Sequence, residues 1–300
     1  MSMKVCDREI KIDGRLIRIG RLDGDKYKFV DDPEVLLNGL RSSGTRVDLF
    51  TFMQRVSEPS PKFQYPMEMD NLAVLPVSTF DHWWTQQIGS NPRNRARQAE
   101  KKGATVREVA FDEDLVKGIW EIYNECPIRQ GTRFRHYGKD IGIIREMSAT
   151  YLDSSIFVGV FLRDKLIGFA KLVADETWTQ ANLMHVVSMV GYKEKAPTNA
   201  LIAQAVKSCA NRGIRYLVYQ NYSYGNKTGD GLSRFKEVNG FKRIDLPRYY
   251  VPLTPIGRAA LRLGLHNKLA AHVPEPLLAK LREFRSAWYS RKFQTATDAL

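Results

Sequence analysis

Mixed α/β is the fold class that the sequence predicts, and three observations carry the prediction. Apolar runs of strand length alternate with amphipathic helical stretches along most of the 300 residues. The block 156–253 reads as β-hairpin, strand, helix, strand, helix, strand, an order that builds a mixed sheet. From Thr254 onward the pattern changes to basic amphipathic helix. At roughly 150 residues per domain the length suits two lobes, expected here at 1–110 and 111–253, with a helical extension over 254–300. A composition of 43% hydrophobic and 26% charged residues supplies a sizeable core and argues against disorder.

The first forty residues hold two Asp-Gly steps, in IKIDGRLIRI and LDGDKYKFV, between β-prone runs, so strands and tight turns are expected there. DPEVLLNGLRSSG is a short helix with Pro33 in its first turn and Gly44 beyond its end. VDLFTFMQRV and NLAVLPV are further strands on either side of the Pro-rich loop SEPSPKFQYP. A helix is expected from about residue 80 to 102, stopped by Gly103, with ATVREVA following as a strand. FDEDLVKGIWEIYNECP opens on acidic residues and repeats apolar side chains at Leu115, Ile119, Ile122 and Tyr123, the pattern of an amphipathic helix. Another helix is expected over 139–151.

SIFVGVFLRDKLIGFAKLVAD is a hairpin turning at Arg163-Asp164-Lys165, and TQANLMHVVSMV supplies a third strand. Pro197-Thr198-Asn199 opens a helix that Gly213 ends. IRYLVYQNY is a strand, GLSRFKEVNGF a short helix closed at Asn239-Gly240, and RIDLPRYYVPL a last strand.

The balance of 46 Lys and Arg against 33 Asp and Glu leaves a formal charge of +13, which favours an anionic partner: nucleic acid, a phosphorylated metabolite or an acidic membrane face. Cys6, Cys126 and Cys209 lie far apart without CxxC or His-Cys spacing, so neither a disulfide framework nor a structural zinc site is expected. The start MSMKVCDREIK has no apolar h-region, and the apolar stretch 156–174 is broken by Arg163-Asp164-Lys165. A cytoplasmic protein is expected, or one peripheral to the inner membrane face.

Three segments resemble the FemAB-like branch of the GNAT acyltransferase superfamily, whose members carry two such lobes in tandem. NPRNRARQAEKKG, residues 91–103, is similar to that branch's basic helix; APTNALIAQAVKSCANRGIRYLVY to its second-lobe helix and strand; Phe235-Lys236 with Asn239-Gly240-Phe241 to its Phe-Lys-x-x-x-Gly-Phe element. The resemblance implies a GNAT-like mixed sheet and transfer of an acyl or aminoacyl group, with no tightly bound cofactor and the donor brought in as aminoacyl-tRNA or acyl-CoA. Acetyl-CoA users of the superfamily carry a Q/R-x-x-G-x-G/A loop whose amides cradle pyrophosphate at a helix N-terminus. Here the stretch 191–200, GYKEKAPTNA, keeps a helix start and two lysines but lacks the repeated glycines. Lys193, Lys195, Thr198 and Asn199 are the donor-phosphate candidates.

The resemblance places Lys236 near the reacting acyl group, where a cation stabilises oxyanion charge; otherwise it is a solvated lysine on a short amphipathic helix. Tyr219, Tyr222 and Tyr224 follow a strand end into the polar loop SYGNKTGDG, where α/β folds seat ligands; a phenol there can donate to a leaving group. Arg133, Arg135, His136 and Tyr137 form a basic-aromatic loop, with His136 a general-base candidate or a surface histidine. Arg93 and Arg97 share a helix face and suit an acceptor phosphate, or simply a solvated face. His185, in an apolar strand, is expected to be a core or pocket-wall residue, and no side chains at ligand spacing suggest a metal site.

The expected function is transfer of an activated acyl or aminoacyl group to an amine of an anionic acceptor, with a cell-envelope or polysaccharide precursor, lipid-linked or a small molecule, as the class that the resemblance implies. An acyl-CoA-dependent N-acetyltransferase is the first alternative and a non-catalytic nucleic-acid-binding protein the second; tRNA enters as a partner through the first reading. The tail 254–300, rich in Arg, Lys and Leu with Trp288, packs on the lobes, joins subunits or lies on an anionic membrane surface.

Overall fold

The computed structural model describes residues 1–129, 131–223 and 231–266. The chain opens with an antiparallel meander, β1 (Ser2–Val5), β2 (Arg8–Asp13) and β3 (Ile19–Leu22). Helix α1 (Pro33–Ser42) starts where the Asp32 carboxylate accepts the amides of Glu34 and Val35, and it buries Leu36, Leu37 and Leu40. Strands β4 (Leu49–Met53) and β5 (Met67–Pro76) follow. Where a second strand was expected in LDGDKYKFV, the chain coils instead. The amides of Tyr27 and Lys28 both close on the Gly24 carbonyl (2.8 and 2.9 Å), and Tyr27 turns inward against Tyr151.

The helix expected over 80–102 is broken. A single turn, α2 (Phe80–His82), runs into a π-turn over Trp83–Gln87, the backbone extends at Ile88 and Gly89, and α3 (Ser90–Lys101) starts afresh. Pro92 offers no N–H and its ring would strike the carbonyl of Ile88 in a continuous helix. The Gly89 amide instead donates to the Val238 carbonyl at 2.7 Å.

Strand β6 (Ala104–Val109), α4 (Glu113–Asn124), the small ribbon β7 (Ile128–Arg129) and β8 (Thr132–Arg133), and α5 (Ile141–Ser148) come next. Helix α5 is shorter than the 139–151 expected from sequence, being capped by Asp140 and ended by Ala149. Strands β9 (Ser155–Leu162) and β10 (Lys165–Ala174) form the expected hairpin, followed by β11 (Gln180–Ser188), α6 (Pro197–Asn211), β12 (Tyr216–Asn221), α7 (Gly231–Val238), β13 (Lys242–Pro252) and α8 (Pro255–Arg262).

Eleven strands form one sheet in the order β1-β2-β3-β4-β13-β5-β12-β11-β10-β9-β6. That order repeats itself about its centre. Each half has an antiparallel run, then a strand, a helix and a parallel strand: β3-α1-β4 in one half and β11-α6-β12 in the other. The final strands are exchanged, with β13 pairing with β4 and β5 with β12. The halves therefore interlock through the central β13-β5 pair. Around the second half, α4 and α5 cover one face over Phe157, Leu166 and Phe169, while α3, α6 and α7 cover the other over Ile156, Ile167 and Leu172. Helix α4 lies close on β10 because Gly118 meets Leu166; a Cβ there would stand 2.6 Å from the leucine Cδ2. Among the described residues no helix is long and apolar enough to cross a membrane.

Candidate functional site

Strands β11 and β12 pair only from Gln180 opposite Tyr216 to Asn182 opposite Val218. Beyond that rung each follows its other neighbour. β11 keeps its register with β10 as far as Ser188. β12 stays with β5 across a bulge between Val218 and Asn221, with Gln220 at φ 45°. The amides of Tyr222 and Ser223 then donate to the backbone and side-chain oxygens of Asn71 at 3.1 and 2.8 Å. The strands open into a V with one wall over 183–188 and the other over 219–221.

On the α6 side of the V, Lys236 is fully buried. Its ammonium donates to the carbonyls of Asn221 and, at 3.4 Å, Tyr222, and lies 5.0 Å from the centre of the Tyr219 ring. Phe241 meets that ring edge-on at 5.8 Å. Carbonyl dipoles and a π face thus hold a cation at the end of β12.

After β11 the chain makes a 3-10 turn, Val190–Lys195, and passes through Ala196 at φ 52° into Pro197 and α6. Glu125, just past α4, reaches across to this turn. Its Oε2 accepts the Val190 amide at 2.6 Å and its Oε1 the Gly191 amide at 2.8 Å. Arg129 donates to the same carboxylate at 3.2 Å and to the carbonyls of Ser188 and Ile122 at 2.7 and 2.6 Å. The amides of Tyr192, Ala196, Asn199 and Ala200 turn onto backbone carbonyls within the loop, and Pro197 has none to offer.

No family model matches the chain, and no curated protein matches it. Solved structures do. The C-terminal domain of a protein assigned as a lysylphosphatidylglycerol synthetase from Agrobacterium fabrum superposes with a TM-score of 0.57 at 14% identity, over 87% of this chain and 86% of that one. FemX superposes with a TM-score of 0.58 at 12% identity, over 80% and 83%. L-PGS from Bacillus licheniformis gives 0.54 at 12%, over 83% of each. The chain has a GNAT-like, FemAB-type fold.

At the stretch 191–200, where the sequence offers its donor-phosphate candidates, the Val190 and Gly191 amides face the Glu125 carboxylate. Lys193 is exposed, Lys195 half-buried. Thr198 shares a hydrogen bond with Ser188 (Oγ1 to Oγ, 3.1 Å), and Asn199 is buried.

The structure gathers Lys236, Tyr219 and Tyr222 at the end of β12, and burial, with Glu237 nearby, pushes the Tyr222 phenol above its ordinary value. Tyr224 lies outside the described residues, as do the loop 224–230 and the tail beyond 266. His136 sits on the opposite face of the sheet. It is 5% exposed and stacks on Tyr123 with ring centres 4.5 Å apart. The Tyr123 hydroxyl contacts His185 Nδ1 at 3.4 Å. Burial lowers both histidines to about 4, helped by the charge of Arg135 on each, Lys139 on His136 and Lys171 on His185, so both are neutral at pH 7. Arg135 Nε donates to His136 Nε2 at 3.1 Å, while Arg133 and Tyr137 are exposed.

The basic helix divides its labour. Arg93 is half-buried and donates to the Ile88 and Thr85 carbonyls (3.0 and 3.3 Å), closing the π-turn before its own helix. Arg97 lies on the Trp84 ring at 5.4 Å with its head exposed. Sequence reasoning missed two features. Lys171, fully buried in β10, donates to the Ser148 and Thr150 carbonyls; its only trace was a lysine inside the apolar run FAKLVA. The Glu125-Arg129 latch left an i,i+4 pair, which is common on any helix.

Proposed function

We propose that the protein is an aminoacyltransferase that moves an aminoacyl group from a charged tRNA to an amine or hydroxyl of an anionic cell-envelope acceptor. The observation that carries this reading is the Glu125 carboxylate seated on the Val190 and Gly191 amides. Those amides open the loop that would have to receive a CoA pyrophosphate, and an internal carboxylate there repels a phosphate and removes its donors. A donor not anchored by pyrophosphate fits such a loop. Fold neighbours support the direction, since one is assigned as a lysylphosphatidylglycerol synthetase, a name that describes an aminoacylated lipid as product.

The chemistry asked of the site is modest. The acceptor nucleophile attacks the ester carbonyl, a new C–N or C–O bond forms, and the ester bond to the tRNA ribose breaks. The proton leaving the nucleophile ends on the ribose oxygen. Positioning supplies much of the rate in such a transfer, and the V offers two strand edges for it. Lys236 is a positioning residue: it fixes the Asn221 and Tyr222 carbonyls and sets a positive charge behind the wall where oxyanion charge develops.

The test is transfer from radiolabelled aminoacyl-tRNA to extracted envelope lipids and precursors, run beside labelled acetyl-CoA. Transfer from charged tRNA alone is the expected result. Acetyl transfer from CoA at a comparable rate would overturn the reading.

A further inference from the structure

Where β11 and β12 part, a cavity of about 30 Å³ lies on the Leu72 side of the sheet, opposite the face that α6 covers. Asn182, the last residue of β11 to pair with β12, lines one side of it. Gln220 and Asn221, from the facing wall of the V, line the other. The cavity therefore sits at the base of the V, and Asn221 is the residue whose carbonyl Lys236 holds. Gln180 precedes Asn182 by two residues, shares its face of the strand, and is also in the lining. The volume takes about two non-hydrogen atoms.

Two buried amides line this space with opposite chemistry, and their contacts fix which way each is turned. Gln180, 4% exposed, accepts the Val56 amide through Oε1 at 3.0 Å, so its free end is the Nε2 donor, which has no partner among the described residues. Asn182, 6% exposed, donates Nδ2 to the Lys26 carbonyl at 2.9 Å, which leaves Oδ1 as an acceptor without a partner among the described residues. Beside them Gln220 holds left-handed backbone, φ 45°, which residues with a Cβ seldom adopt. Unmet buried polar groups and a backbone outlier in one place mark a spot shaped for a ligand.

A hydroxyl is the smallest group that accepts from the one amide and donates to the other. With the carbon that bears it, it also matches the volume. Asp70 is the one carboxylate in the lining among the described residues, and Arg248 already holds it at 2.7 Å, so a cationic side chain finds no unmatched partner. We propose that this cavity selects the aminoacyl group and takes serine, whose hydroxyl accepts from Gln180 Nε2 and donates to Asn182 Oδ1. The proposal deepens the transferase reading, on which it rests, by naming the group transferred.

The experiment is calorimetric titration of the full chain with 3′-amino-3′-deoxyadenosine acylated by serine, an amide that copies the charged end of a tRNA and does not transfer. The alanyl, asparaginyl and lysyl amides are the comparison ligands. The seryl amide is expected to bind about tenfold or more tighter than the alanyl amide, which leaves both buried groups unmet. The asparaginyl and lysyl amides should bind no better than the alanyl. Gln180→Glu keeps the Val56 contact and turns the donor into an acceptor, so the seryl preference should fall to about threefold or less. A purely structural role for Gln180 would weaken every amide alike and leave that ratio unchanged, which overturns the proposal. So does equal affinity for the seryl and alanyl amides, no binding of any, or a tighter asparaginyl or lysyl amide, and none of these needs a variant to fold. Transfer from tRNAs charged with the same amino acids separates the two claims. Transfer that does not distinguish serine from alanine refutes the pocket and leaves the transferase. A seryl preference in binding, with no transfer from any charged tRNA, refutes the transferase and leaves the pocket.

Discussion

Two lysines are fully buried in the second half of the sheet, one on each face, and they are solved by the same local physics with different consequences. Lys171 in β10 donates to the carbonyls of Ser148 and Thr150 at the end of α5 and lies 5.3 Å from the Phe157 ring centre. Lys236 in α7 donates to the carbonyls of Asn221 and Tyr222 and lies 5.0 Å from the Tyr219 ring centre. In each case carbonyl oxygens and a π face replace the water that burial removes. The partners differ. Those of Lys171 end a helix that packs on the sheet, so its charge serves the fold. Those of Lys236 end the strand that forms one wall of the V, so its charge fixes that wall. Chemical environment alone does not separate the two lysines; the element whose carbonyls each one holds does.

Replacing each lysine by methionine breaks the comparison most directly. Both substitutions strand buried carbonyls, so each should lower stability by about 1–3 kcal/mol in urea denaturation. Only Lys236→Met should also lose transfer, by roughly a hundredfold in kcat, the scale of removing one preorganised electrostatic group. Equal activity in the two folded variants would place Lys236 with Lys171 as a purely structural residue.

That asymmetry also explains what the sequence could disclose. Lys236 stood out only through the resemblance of Phe-Lys and Asn-Gly-Phe to a FemAB-like element, while helix periodicity alone gave a solvated lysine and not the buried one found. The strand and helix order 156–253 survives in the structure nearly element by element. Lys171 did not stand out, because period-2 reading of a strand says which face a residue takes but not that a helix terminus waits above it. The break at Ile88 and Gly89 has a sequence signal in Pro92, which the helix expected over 80–102 would have carried in its interior. The V could not be foreseen at all: it arises because β12 pairs with β5, roughly 140 residues away in sequence, and exchanged strands leave no local pattern. Nor could the sequence tell that His136 and Lys236 lie on opposite faces, since only the topology puts a sheet between them.

The faces should also differ in their response to pH. Lys171 is lowered by burial to about 8, against 10.5 for the free side chain. Between those values the unfolded chain still binds a proton that the native state has released, so this group raises stability as pH rises from about 8 to 10.5 and adds no slope below 8. His136 and His185, at about 4 against 6.5, work in the same direction: stability falls as pH drops from about 6.5 to 4. Urea midpoints of the wild type and His136→Phe/His185→Phe across pH 4–7 should converge as pH falls, the wild type losing up to two protons' worth of slope that the variant lacks. Parallel curves would mean that the imidazoles are not held neutral, and the α4-α5 face would lose its distinction from the α6 face.

The smallest effect concerns the latch that joins these regions. Glu125→Ala removes one ion pair and frees two amides at an exposed site, which should cost about 1 kcal/mol, the low end of the range for either lysine. Hydrogen exchange at Val190 and Gly191 should accelerate while the Asn221-Tyr222 strand end keeps its protection, because Lys236 holds that wall independently. The vacated amides would then face solvent as an anion site. Millimolar pyrophosphate should raise the melting temperature of Glu125→Ala and leave the wild type unmoved. If pyrophosphate stabilises both equally, the carboxylate is not what excludes it, and the missing amide at Pro197 becomes the better explanation for a loop that turns its donors inward.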